Sequence, residues 1–280
     1  MKRQQILLVT FGAIATVLLF LFGNTVPAKK VATVAENTPH TEKAVDIDDL
    51  LKHAKERLNM DQIQRVTALE NSVVRGDVKN QQLKAYQQLA AFWGDTARLF
   101  EPYAHYTAEA AKLENSEKSL TFAAHLFLNN LKTESEPAMQ TWLASNAKVL
   151  FEQALQLNPA NDSSRIGLGA CYIFGHISNN PMEGIGPIRA IAERDPDNMY
   201  AQLILGLGGV RSGQYDRAIE RFTIVMANEP DNLEAAINLA ESYDRKGDKA
   251  NAIKWYTYIK DKIPNPEVKK ELEQRIKTLK

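Results

Sequence analysis

Two hydrophobic patterns divide the chain. Residues 6–22 run almost wholly apolar, interrupted only by the hydroxyls of Thr10 and Thr16 and free of charge. From Asp46 onward, helix-forming residues dominate, β-branched alternation is scarce, and turn signals such as Gly94-Asp95 follow every 12–20 residues. This rhythm predicts an all-α chain of helix hairpins.

The apolar N-terminus is predicted to be a membrane signal. Seventeen apolar residues span about 25 Å as a helix, and Gly23–Val26 extends them towards the roughly 30 Å hydrocarbon core of a bilayer. Residues 1–26 are therefore predicted to form a transmembrane anchor, with 6–26 inside the membrane. A cleaved signal peptide is the alternative, with Val26-Pro27-Ala28 as an imperfect cleavage site. Residues 27–46 lack apolar periodicity and are predicted to be a flexible tether.

The charges that flank this segment predict its orientation. Lys2, Arg3 and the α-amine precede the apolar run and Lys29-Lys30 follows it, a balance that weakly favours an N-terminus inside the cell. The prediction is a single-pass protein of the inner (cytoplasmic) membrane with its C-terminal domain in the periplasm. The alternative is the opposite topology, in which the helical domain faces the cytosol.

A 34-residue repeat covers the C-terminal part of the chain. The segments that start at Asn198 and Asn232 align through seven pairs: Leu205 with Leu239, Gly206 with Ala240, Gly213 with Gly247, Ala218 with Ala252, Ile219 with Ile253, Phe222 with Tyr256, and Pro230 with Pro264. These positions resemble the tetratricopeptide repeat (TPR) family, whose pattern has a Leu-Gly pair, a Gly turn, an Ala-Ile pair followed by an aromatic residue, and a closing Pro. The resemblance implies a right-handed superhelical solenoid of helix hairpins.

The resemblance also implies an order of domains. TPR repeats are predicted over 146–264, with units at about 162–198, 199–232 and 233–266. The first unit carries three extra residues in the turn Gly175–Pro181. Divergent helical hairpins, which match the pattern more loosely, are predicted over 47–145. A capping helix is predicted over 266–280, because its apolar residues share one face and the rest is rich in Lys and Glu.

Composition excludes several classes of function. The 280 residues contain 34 Lys+Arg and 34 Asp+Glu, so the net charge of zero argues against a nucleic-acid partner. The single cysteine, Cys171, rules out an internal disulfide framework and a multi-thiolate metal site. The excess of basic residues in Lys246–Lys280 is interpreted as a solvated helix face, with an anionic surface or acidic partner as the alternative.

Candidate chemistry is sparse. Gly206-Leu207-Gly208-Gly209 fits neither phosphate-loop nor dinucleotide spacing and is interpreted as close helix packing. The five histidines have no metal-ligand spacing, and His176, in the inserted turn, is the one candidate for a functional role. We therefore predict no catalytic, cofactor or metal site and a protein that is not an enzyme. An envelope enzyme with its chemistry in 46–145 is a further alternative.

The TPR resemblance implies a protein-binding groove lined by a stripe on the first helix of each hairpin. The groove should be apolar in its middle and charged at its C-terminal end, and its predicted residues are Ile166, Ala170, Ile173, Phe174, Tyr200, Leu203, Leu207, Val210, Arg211, Glu234, Ile237, Glu241, Asp244 and Arg245. A helix from residues 46–145 could instead cover the apolar stripe. An acidic C-terminal tail is not the expected ligand, because Ile166 and Ala170 replace the Lys and Asn with which tail-binding TPR domains grip a carboxylate.

These features together predict a membrane-tethered TPR adaptor that binds a protein or peptide client in its groove. The predicted setting is the periplasmic side of a bacterial cell envelope, in the assembly of envelope proteins such as cytochromes c. One alternative is a structural scaffold that self-associates into a homo-oligomer. Another is a cytosol-facing array that resembles an import receptor.

Overall fold

The computed structural model describes residues 45–75 and 78–280, and all regular structure in these residues is helical. The first six helices and one π-helical turn precede the predicted TPR units: α1 (Ile47–Glu56), α2 (Met60–Arg75), α3 (Lys79–Ala91), the π-turn (Phe92–Ala97), α4 (Phe100–Glu114), α5 (Glu117–Leu131) and α6 (Pro137–Leu157). The remaining seven are α7 (Asp162–Phe174), α8 (Met182–Arg194), α9 (Met199–Arg211), α10 (Tyr215–Asn228), α11 (Leu233–Lys246), α12 (Lys249–Lys262) and α13 (Pro266–Leu279). The predicted all-α class is confirmed for the described residues.

The predicted membrane location is corrected. Within 45–75 and 78–280, no helix is long and apolar enough to cross a membrane. This finding contradicts the single-pass, inner-membrane location, and the periplasmic placement that depended on it is withdrawn with it. The predicted anchor, residues 1–26, lies outside the described residues, as does almost all of the predicted tether.

Sequential helix hairpins build the fold. Each helix from α2 to α12 packs against the next one along the chain, so the stack ends with α13 packed on α12. The first helices of successive hairpins, α5, α7, α9 and α11, also contact one another in that order. A stack of hairpins of this kind leaves one surface made only of first helices. The right-handed sense of the superhelix stays a prediction.

Small residues in the first helices make room for large residues in the second helices. A Cβ atom placed on Gly206 would lie 2.5 Å from the ring of Phe222, which is closer than real side chains approach. A Cβ atom on Gly169 would lie 2.7 Å from the carbonyl oxygen of Gly184 and 2.8 Å from Ile188. The glycines therefore allow α9 to pack closely on α10, and α7 on α8.

Proline and asparagine set the boundaries between hairpins. Asp195 and Glu229 end α8 and α10, and a proline follows each directly, where its ring prevents the helix from continuing. The next helix then starts at an asparagine: the side chains of Asn198 and Asn232 accept hydrogen bonds from backbone N–H groups in the first turns of α9 and α11.

Three apolar cores follow one another along the chain. An N-terminal core surrounds Phe92 and Trp93, a central core surrounds Phe127 and Phe151, and a C-terminal core surrounds Phe222. Leu207 of α9, which is partly buried, packs against both the central and the C-terminal core. Each hairpin is therefore stabilised by apolar contacts with its neighbours along the chain, as expected of a solenoid.

Candidate functional site

A pocket of about 630 Å³ lies where four first helices come together. We call it the first-helix pocket. Its lining comes from the C-terminal end of α5 and the turn after it, from α7, from α9 and from α11: Asn129, Lys132, Thr133, Phe174, Leu207, Val210, Arg211, Glu234, Ile237 and Asn238. The floor is apolar and the rim is polar, which is the usual composition of a site that binds a ligand by shape and a few directed hydrogen bonds.

The floor carries apolar side chains that are not fully buried. Leu207 and Val210, three residues apart on one face of α9, are half-buried. Ile237 of α11 is 37% exposed, an unusual value for an isoleucine in a chain that buries most of its large apolar residues. These three side chains therefore offer apolar contact area to a ligand.

An ion pair closes one side of the pocket. The Nζ atom of Lys132, directly after α5, lies 2.9 and 3.1 Å from the two carboxylate oxygens of Glu234 in the first turn of α11. The side chain of Lys132 is 18% exposed and that of Glu234 is 41% exposed, so the pair contributes little to stability. The ion pair instead links the end of α5 to the start of α11, two first helices that are separated in the sequence by the hairpins α7/α8 and α9/α10.

Arg211, at the C-terminal end of α9, links the pocket to the inserted turn. The guanidinium group of Arg211 lies 5.9 Å from the ring centroid of Phe174, and its Nη2 atom is 2.8 Å from Nε2 of His176. In this contact Arg211 donates, so the Nε2 atom of His176 accepts and carries no proton. His176 has a φ of 52°, a left-handed conformation that the longer turn after α7 imposes. The sequence singled out His176, and the structure places it in contact with Arg211, which lines the pocket, although His176 itself does not.

Six of the predicted groove residues line the first-helix pocket: Phe174, Leu207, Val210, Arg211, Glu234 and Ile237. The structure does not bring the other eight to it. Ile166, Ala170 and Leu203 are buried in the cores, and Ile173 lines a different pocket between hairpins. Asp244 instead accepts hydrogen bonds from Tyr256 and Arg275, while Glu241 and Arg245 are exposed outside the pocket.

Helix α5 covers the N-terminal part of the predicted stripe. The ring of His125 lies 5.7 Å from the ring of Tyr200 and 5.0 Å from that of Phe151. Burial lowers the pKa of His125, with a smaller contribution from the charge of Lys132, and burial also raises the pKa of Tyr200. Residues 46–145 thus supply the helix that the sequence analysis considered as a cover for the stripe.

Four lining residues were missed in the sequence: Asn129, Lys132, Thr133 and Asn238. Asn238 carried a usable signal, because it lies one residue after Ile237 and four after Glu234 on α11. The other three carried none, since their position depends on how α5 and α11 approach each other across two intervening hairpins.

Other candidate chemistry is limited in the part of the chain that the structure describes. No group of three or more His, Cys, Asp or Glu side chains there could hold a metal ion. Cys171 is fully buried in α7, where burial raises the pKa of its thiol and its Sγ atom lies 3.2 Å from the carbonyl oxygen of Gly167. This is the environment of a packed thiol and not of a nucleophile.

Comparison with known proteins identifies the repeats. Residues 210–265 match the tetratricopeptide repeat family, so the chain carries TPR motifs and the predicted resemblance is confirmed. This segment contains the end of α9 with Val210 and Arg211, and all of α10, α11 and α12. No curated protein matches the sequence.

Similar solved structures are TPR proteins or are named after one protein, MamA. A crystal structure of MamA is 15% identical with a TM-score of 0.42, over 64% of this chain and 91% of that one. Another, MamA 41-end from Desulfovibrio magneticus RS-1, is 20% identical with a TM-score of 0.43, over 67% and 96%. YrrB, titled a TPR protein with an unusual peptide-binding site, is 17% identical with a TM-score of 0.41, over 68% and 91%. These scores are too low to carry an argument about function.

Proposed function

We propose that this protein is a TPR adaptor whose first-helix pocket binds a short segment of a partner protein. The observation that carries the proposal is the accessible apolar floor of Leu207, Val210 and Ile237, framed by polar side chains. Its volume of about 630 Å³ lies within the range of roughly 300–1,000 Å³ that is typical of ligand pockets.

The lining supports a particular kind of client segment. Apolar anchors of the client would contact Val210 and Ile237, while its backbone would meet the amide groups of Asn129 and Asn238. Asn129 lies on the rim and Asn238 already donates one hydrogen bond to the carbonyl oxygen of Glu234, which leaves its side-chain oxygen as an acceptor. The client is therefore a segment with one or two large apolar side chains. The proposal does not extend to cytochrome c assembly, because no lining residue selects that client.

Selection from a displayed library of random peptides tests this function. The full chain should enrich peptides with apolar anchors, and Val210→Asp and Ile237→Asp should each weaken their binding at least tenfold by placing a charge on the apolar floor. The matched control is Val149→Asp, because Val149 is a 43% exposed valine on α6 that does not line the pocket. Circular dichroism confirms that helix content is unchanged in all three variants.

Two outcomes would contradict the proposal. Equal binding by wild type and both pocket variants would place the client elsewhere. Loss of binding in Val149→Asp as well would point to a general effect of charge. A second copy of the chain is an alternative occupant, and sedimentation over a range of concentrations would detect it as self-association that Val210→Asp abolishes.

A further inference from the structure

A second, smaller pocket lies between the hairpin α7/α8 and the hairpin α9/α10. Its volume is about 110 Å³, and Ile185 of α8 and Leu205 of α9 form part of its wall. Gly208 leaves it open, because a Cβ atom there would meet nothing closer than Ile173 at 3.6 Å. We call it the arginine pocket for the three side chains that border it.

Three arginines converge on this pocket. Arg217 and Arg221 lie four residues apart and therefore on one face of α10, and Arg189 approaches from α8. No Asp or Glu is among the lining residues, and none of the three arginines forms an ion pair within the described part of the chain. The pocket therefore carries three uncompensated positive charges, since arginine stays protonated at any physiological pH.

Neutral amides orient two of the guanidinium groups. The Nη1 atom of Arg221 donates to Oε1 of Gln202 at 2.8 Å, and Gln202 is only 1% exposed. The Nε2 atom of Gln202 donates in turn to the carbonyl oxygen of Pro196 at 2.9 Å, so both ends of this buried amide are satisfied. The Nη1 atom of Arg217 donates to Oε1 of Gln214 at 2.7 Å. The amides hold the arginines in place and leave their charge unneutralised.

We propose that the arginine pocket binds a phosphate group that carries two negative charges. Guanidinium groups present pairs of N–H donors that match the oxygens of phosphate, and charge-assisted hydrogen bonds of this kind are strong. Three positive charges favour a dianion over a carboxylate, which carries a single charge. The volume of about 110 Å³ admits one such group and not a segment of chain. This site is separate from the first-helix pocket and does not depend on the proposed function.

Calorimetric titration of the full chain with inorganic phosphate and with a phosphoserine peptide tests the proposal. Arg189 and Arg217 are exposed, so replacing either with Gln should not disturb the fold. Arg189→Gln and Arg217→Gln should each weaken phosphate binding about tenfold by removing a charge-assisted contact. Arg57→Gln is the matched control, because it removes an exposed arginine at the end of α1 that does not border the pocket. Saturation by inorganic phosphate indicates a free anion as the ligand, and binding of the phosphoserine peptide alone indicates a phosphorylated partner.

The dependence on pH separates phosphate from carboxylate recognition. The second pKa of a phosphate monoester is about 6, so affinity should fall when the pH is lowered from 7.5 to 5. A glutamate-containing peptide keeps its charge over that range, because the pKa of glutamate is about 4.3. Failure of both phosphate probes to bind, equal weakening by Arg57→Gln, or equally tight binding of the glutamate peptide would each overturn the proposal.

Discussion

The repeat region and the N-terminal region of this chain build the same kind of hairpin from different residues. In α9 and α10 the close approach depends on Gly206, which receives the ring of Phe222. Between α3 and α4 the bulky Phe92 and Trp93 are themselves buried, and the chain turns through the π-helical segment Phe92–Ala97, to which both residues belong. That segment ends at Arg98 in a left-handed conformation with a φ of 55°. One region fits a small residue to a large one, and the other bends its backbone around large side chains.

Several repeat helices also start differently from α3 and α4. Helices α7, α9, α11, α12 and α13 each begin with an Asn or Asp whose side chain accepts a backbone hydrogen bond. Helices α3 and α4 begin at Val78 and Leu99, which make no side-chain cap. These five helices thus carry their own start signals, whereas α3 and α4, like α8 and α10 of the repeats, lack a side-chain cap and depend on packing for their boundaries. The contrast shows that local capping signals mark the first helix of each repeat hairpin, whereas α3 and α4 have no such signal.

Removing one large side chain from each region should give the largest effects and test whether the cores are separate. Phe222→Ala and Trp93→Ala should each lower the free energy of unfolding by about 3–5 kcal/mol, because both side chains are fully buried. Hydrogen exchange should locate the resulting opening in α10–α13 for Phe222→Ala and in α1–α4 for Trp93→Ala. If either variant accelerates hydrogen exchange equally along the whole chain, the two cores do not open separately.

A pair of glycine substitutions tests the small-to-large fit in α9. Gly206→Ala should destabilise the protein by about 1–2 kcal/mol, because its new methyl group collides with Phe222 and outweighs the gain in helix propensity. Gly208→Ala, in the same helix, should instead stabilise it by up to about 1 kcal/mol, since its methyl group meets only ordinary contacts. Urea denaturation measures both. Stabilisation by Gly206→Ala would show that the ring of Phe222 moves aside freely.

These contrasts explain how much of the molecule the sequence predicted. The pairing of Gly206 with Phe222 repeats as Ala240 with Tyr256, so a fixed 34-residue spacing was enough to find the hairpins. Gly94-Asp95 predicts a turn, and the chain does turn there between α3 and α4, but through the π-helical segment Phe92–Ala97 with Trp93 buried, a geometry that the two residues do not specify. Six residues of the site followed from the TPR resemblance, which implies a groove along the first helices. Lys132 did not, since its contact with Glu234 depends on the curvature of the whole stack.

Removing a capping side chain from a repeat helix and adding one to α3 should change stability by less than the core substitutions do. Asn232→Ala removes a side-chain cap from α11 and should cost about 1 kcal/mol of stability. Val78→Asp should do the reverse at α3 and stabilise by about 0.5–1 kcal/mol, because Val78 is 52% exposed and already has the extended backbone of a capping residue. Chemical denaturation should reveal both changes. Destabilisation by Val78→Asp would show that its side chain contributes apolar contacts that a cap cannot replace.

The smallest expected effect is on pH dependence, where two half-buried histidines differ in their surroundings: His105 on α4, and His125 on α5, which packs against Tyr200 of the repeat region. Burial lowers the pKa of both His105 and His125 below the ordinary value of 6.5. As the pH falls below 6.5, these histidines become protonated in the unfolded chain but stay neutral in the folded chain. The free energy of unfolding therefore decreases until the pH reaches the folded-state pKa. Nearby Glu109 opposes the shift at His105, whereas Lys132 adds to it at His125. His125→Gln should therefore flatten the loss of stability between pH 7.5 and 5.5 more than His105→Gln does, as measured by urea denaturation at each pH. The reverse order would mean that the carboxylate of Glu109 does not influence His105.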